Sequence, residues 1–122
     1  MKITKVNNNG IEVAVVESKD IILQDVQSAL DLMATISYEV GCNRFIINKE
    51  AVVEDFFKLS TGIAGDILQK FSNYQMKFAI YGDFSIYTSK ALKDFIYESN
   101  KGNSIYFIST QEEGIDKLSN AK

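Results

Sequence analysis

The chain contains no histidine, no proline and no tryptophan, and a single cysteine among 122 residues. Without histidine, Ser-His and Cys-His catalysis and histidine-ligated metal sites are excluded within this chain. One cysteine, Cys42, allows no internal disulfide and no CxxC redox or zinc site. The lack of proline removes slow prolyl isomerisation from folding. Long apolar runs are missing too. The longest, such as Val13-Ala14-Val15-Val16, are four residues, against the roughly 20 that a membrane-spanning helix needs. Met1-Lys2-Ile3-Thr4 leads into Asn7-Asn8-Asn9 and not into the apolar stretch of a targeting signal. Basic residues number 13 against 16 acidic ones, a net charge of -3. That balance supplies neither a basic surface for nucleic acid nor a polybasic membrane anchor. These absences lead us to expect a cytoplasmic protein with no nucleic-acid or membrane partner.

What is present is ordinary for a globular protein: 46% apolar and 24% charged residues. The length suits a single domain over residues 1–122. Ile3–Val6 and Ile11–Val16 are β-prone and flank Asn7-Asn8-Asn9-Gly10, whose residues tolerate positive φ, so a hairpin is expected. Asp25 is a plausible N-cap for a helix through Val26, Ala29, Leu30 and Met33, and Gly41 suits its left-handed C-cap. Residues 44–48 then read as a strand. A longer connection, Lys49 to Leu59, is expected to be pinned to the core by Phe56 and Phe57. Ala64, Ile67, Leu68 and Phe71 form one apolar stripe, giving a helix from about Thr61 to Asn73. Strand Phe78–Tyr81, a helix through Leu92 and Phe95 ended by Gly102, and strand Ile105–Ile108 follow. Thr110 with Glu113 is a capping-box signature for a last helix, which Gly114 weakens by about 1 kcal/mol relative to alanine. The order β-β-α-β-α-β-α-β-α predicts an α/β fold. Its mixed sheet has an N-terminal hairpin followed by alternating helices and parallel strands.

In such a sheet the loops leaving the carboxyl ends of the strands gather on one rim, the usual place for ligands. That topology collects Ser60, Thr61, Asp83, Phe84 and Thr110. Leu59-Ser60-Thr61-Gly62-Ile63-Ala64-Gly65 is the most informative stretch, with two hydroxyls before a glycine at a helix start. Free N–H groups there attract anions and suit a phosphorylated hydroxyl. The plain structural reading makes Ser60 or Thr61 an N-cap, with Gly62 and Gly65 allowing close packing on the sheet. It is no P-loop, because the lysine is missing. Asp83 reads as a ligand acceptor or, more simply, as a turn residue bonding its own backbone.

Ser60-Thr61-Gly62-Ile63 resembles the Ser-Ser-Gly-Leu signature of STAS domains, the anti-sigma factor antagonist fold. Three further stretches, Phe56 through Gly65, Gly82-Asp83-Phe84 and Phe95 through Gly102, are similar to a bacterial group, domain-of-unknown-function family 4180. The STAS resemblance implies a non-enzymatic regulatory protein that docks on a partner and is switched by phosphorylation before the glycine. That hydroxyl would be Thr61, with Ser60 beside it. The chain departs from the STAS pattern at Leu59, where an aspartate is usual, and in a longer preceding loop.

The expected function is therefore a protein-interaction module without enzymatic activity, cofactor or metal. Its site comprises Ser60, Thr61, Gly62, Gly65, Asp83 and Phe84, and self-association as a homodimer stays open. The alternative is a small-molecule domain binding an anion or nucleotide on the same rim.

Overall fold

The computed structural model describes residues Met1–Lys122. Strands β1 (Lys2–Asn8) and β2 (Ile11–Glu17) form the expected antiparallel hairpin. Asn9 and Gly10 both take positive φ, 56° and 84°, as a tight turn matched to strand twist requires. Helix α1 (Val26–Glu39) begins at Asp25. The Asp25 carboxylate accepts from the Ser28 N–H at 2.8 Å, and the Ser28 hydroxyl accepts from the Asp25 N–H at 3.0 Å. Gly41 closes that helix at φ 67°, donating to the Ile36 carbonyl. The chain continues through β3 (Arg44–Asn48), α2 (Ile63–Asn73), β4 (Lys77–Tyr81), α3 (Lys90–Lys101), β5 (Ile105–Ile108) and α4 (Gln111–Asn120). Between β3 and α2 lie three 3₁₀ turns, Lys49–Ala51, Glu54–Phe57 and Leu59–Thr61. Phe56 and Phe57 are buried there, anchoring the connection as expected. The piece Ile21-Ile22-Leu23 contributes one parallel bridge, Leu23 to Val52, and no strand of its own.

Strands lie side by side in chain order, with β2 through β5 mutually parallel. Right-handed crossovers between neighbours in that order place every connecting helix on one face. Ala14, Val16, Phe45, Ile47, Phe78, Ile80 and Phe107 accordingly form a core with residues of α1, α2 and α3. Within it the Phe45 and Phe78 rings, neighbours in register, stack at 5.2 Å, and Phe71 of α2 meets both edge-on. The opposite face presents Val13, Val15, Ile46, Ala79, Tyr106 and Ile108, and α4 covers it with Leu118.

Gly114 explains how one ten-residue helix covers that face. A Cβ there would stand 2.3 Å from the Cδ1 atoms of both Ile46 and Ile108. The glycine that weakens the helix in isolation is what lets it approach the sheet. Arg44 holds the other end, its guanidinium donating to the carbonyls of Leu118 and Ala121, where the negative end of the helix dipole favours a cation. At the free edge, the Asn100 side chain bonds both the N–H and the carbonyl of Phe107, occupying part of β5's unpaired backbone.

Two glycine substitutions separate packing from helix propensity. Gly114→Ala is expected to lower stability by about 1–2 kcal/mol net, overpacking outweighing the propensity gain. Gly65→Ala, whose Cβ would meet nothing within 4 Å, is expected to raise stability by about 0.5–1 kcal/mol. Urea midpoints of the two variants check the opposite signs.

Candidate functional site

The parallel strands end together at Glu17, Asn48, Tyr81 and Ile108, which defines the carboxyl-end rim. The helices following β2, β3 and β4 cross one face, whereas α4 crosses the other. The chains leaving β4 and β5, adjacent in the sheet, therefore diverge. Such a divergence opens a crevice outside the strand ends. Here it has a volume of about 850 Å³. Phe84, Ile96, Phe107 and Ile108 supply its apolar lining, and Glu50, Asp83, Glu113 and Lys117 its charges.

Asp83 and Phe84 thus line the crevice, whereas Ser60, Thr61, Gly62 and Gly65 do not. Asp83 is exposed, and its Oδ1 accepts from the Ser85 hydroxyl at 2.5 Å and the Ser85 N–H at 2.9 Å. The hydroxyl bond, and then the backbone bond, hold the carboxyl below its ordinary pKa. This is the turn geometry expected on structural grounds, and an acid so held is a weak general base. Phe84 is half-buried, its ring 5.8 Å from Phe57 and 5.6 Å from Phe107. Gly82 is spatially constrained, because a Cβ there would stand 2.7 Å from Lys49 Cβ. The Lys49 ammonium lies over the rings of Phe57 and Tyr87. The Tyr87 hydroxyl donates to Glu54 at 2.7 Å. Burial, followed by that bond, raises the phenol pKa above its usual value.

The Ser60–Gly65 stretch differs from the sequence expectation in two ways. Helix α2 starts at Ile63, two residues late, with Gly62 as its N-cap at φ 80°. Neither Ser60 nor Thr61 is the cap. The Thr61 hydroxyl instead lies 2.8 Å from the Asp55 carbonyl and 2.9 Å from that of Lys58, its acceptors, while accepting from the Ile63 N–H at 3.3 Å. It latches the second and third 3₁₀ turns to the start of α2. The Ser60 hydroxyl is exposed and makes no hydrogen bond within the chain. Gly62 and Gly65 do not serve close packing, since a Cβ at either meets nothing within 4 Å; Gly62 is needed for its backbone conformation. Phe57, in the turn before the latch, links this stretch to the crevice by touching Phe84 and Tyr87.

A family model described as Domain of unknown function (DUF4180) matches residues 8–118. The chain belongs to this family. No curated protein and no solved structure matches it. The family match spans the latch, the crevice and nearly the whole of α4. Thr110 caps α4 by accepting from the Glu113 N–H at 3.2 Å, so its hydroxyl is structural. Cys42 is buried, and burial pushes its thiol pKa up. No group of acids and cysteine is placed to hold a metal ion, and no helix is long and apolar enough to cross a membrane.

Sequence reasoning missed Glu50, Tyr81, Glu113 and Lys117 as crevice residues. Element order located the strand exits but not the face that α4 covers, and without that face the divergence cannot be placed. Gly114, as a packing glycine, was the available signal. The crevice carries three carboxylates against one ammonium, a balance that favours cationic groups over phosphate.

Two expectations follow from this geometry. Thr61→Val should cost about 0.5–1.5 kcal/mol in urea denaturation through loss of the latch, whereas Ser60→Ala should be close to neutral. Because Asp83 is depressed in the folded state, its stabilising contribution is present above its unfolded pKa of about 3.9. It is lost as pH falls through the lower folded value. Ser85→Ala should move the Asp83 carboxyl back toward the ordinary range in an NMR titration.

Proposed function

We propose that the chain is a non-enzymatic, cytoplasmic regulatory module of STAS-like type. It docks on a protein partner through the Ser60–Gly65 start of α2, and a phosphate on one of the two hydroxyls switches the docking. The observation that supports this reading best is the unequal use of those hydroxyls. The Thr61 hydroxyl has its proton committed to backbone carbonyls, whereas the Ser60 hydroxyl is exposed and unengaged. A phosphate on Ser60 adds charge to the surface without breaking an internal bond. A phosphate on Thr61 removes the donor and releases the latch, loosening the turn that carries Phe57. One site edits the docking surface, and the other edits its conformation.

The resemblance to STAS domains supports the same stretch as the working face and points to Thr61; the exposed hydroxyl adds Ser60. Three other polar side chains near the rim are engaged in structure. Asp83 is tied to Ser85, Thr110 caps α4, and Asn100 binds the β5 edge.

The test compares wild type, Ser60→Glu and Thr61→Glu for partner retention from host extract, with thermal melts and phosphopeptide mass spectrometry alongside. Ser60→Glu is expected to reduce retention with an unchanged melting temperature. Thr61→Glu should reduce retention and lower the melting temperature. Equal retention of the same proteins by all three, with no phosphate found at residues 60 or 61, would sink the proposal.

A further inference from the structure

We infer that the crevice between the exits of β4 and β5 binds a linear organic amine, an alkyl chain carrying spaced ammonium groups. The inference is independent of the docking surface at Ser60, whose residues do not line this crevice. It rests on the position, the lining and the distribution of charge taken together.

Position comes first. Ligands of open α/β sheets settle where adjacent strands send their chains to opposite faces, and β4 and β5 are such a pair. The crevice of about 850 Å³ falls within the roughly 300–1,000 Å³ usual for small-molecule sites. Its apolar side chains are Phe84 and Ile96, both half-buried, and the buried Phe107 and Ile108. An alkyl chain laid against these side chains removes apolar surface from water.

Charge selects the class. Glu50, Asp83 and Glu113 face the crevice against a single ammonium, Lys117, and none of these four is in an ion pair. The carboxylates do not converge as metal ligands. They come from three separate segments, the turn after β3, the loop after β4 and α4, an origin that suits several positive charges better than one compact cation. Tyr81 adds an aromatic side chain to the lining, a surface that ammonium groups favour. The depression continues past Tyr81 and Glu50 toward Glu17 and Asp20, beside Lys2 and Lys19. An extended ligand has room in that direction.

Spermidine is the probe, titrated calorimetrically at low ionic strength, with amide NMR to locate it. Saturable binding is expected, with the largest shifts at Gly82, Ser85 and Ser109. Glu50→Gln combined with Glu113→Gln should weaken binding about fivefold or more. Asp31→Asn with Glu39→Gln, outside the crevice and equal in net charge, should leave it unchanged. Lys117→Gln should strengthen binding, and this single exposed change keeps the test decisive if the double variant folds poorly. The inference fails if spermidine gives no saturable heat. It fails also if the distant pair weakens binding equally, which would show diffuse attraction, or if inorganic phosphate shifts the crevice amides and spermidine does not.

Discussion

The close approach of α4 to the sheet at Gly114 is the constraint on which the rest of the architecture depends. Three helices share one face of the sheet, and α4 alone must exclude water from the other. Ten residues can do so only if the helix backbone lies near the apolar side chains beneath it, and Ile46 and Ile108 leave no room for a Cβ. The cost of glycine within a helix, about 1 kcal/mol, is offset by contact over a whole sheet face. Arg44 at one end and the Thr110 cap at the other hold the helix in that position. Asn8, at the end of β1, adds bonds to Asp116 and Ser119.

The same docking creates the candidate site. Had α4 followed its predecessors onto the crowded face, the exits of β4 and β5 would turn the same way and no divergence would exist. Because α4 crosses to the open face, its Glu113 and Lys117 come to line the crevice with Asp83 and Phe84. A packing requirement in the core thus sets which side chains meet at the rim.

Much of the fold was legible in the sequence because local chemistry decided it. The hairpin was marked by Asn9-Gly10, the start of α1 by Asp25, its end by Gly41, and the strands by short apolar runs. What was not legible depended on distant partners. Thr61 reads as a helix cap because threonine caps helices often, yet carbonyls six and three residues upstream capture its hydroxyl. Gly114 reads as a weakness until Ile46, 68 positions earlier, is known to lie against it. The rim itself followed from element order; the crevice within it did not, because no local signal states which face a terminal helix will cover.

A physical division separates the polar groups of this rim into two sets. No buried side-chain nitrogen or oxygen lacks a hydrogen-bond partner, so the fold leaves no strained polar group inside. Thr61, Thr110, Asn100 and the Asp83 Oδ1 are occupied by backbone or neighbouring side chains. Removing them would first be felt as lost stability. The Ser60, Glu113 and Lys117 side chains hold nothing in place through hydrogen bonds or ion pairs, and all three residues are exposed. Glu50 is nearly as free, accepting one exposed bond from Asn48 at 3.2 Å. Groups that the fold does not use are those that a partner or ligand can engage without opposing it. In this chain Glu50, Glu113 and Lys117 line the crevice with Phe84 and Ser60 does not, while Phe84 meets Phe57, a ring of the apolar core three residues before Ser60.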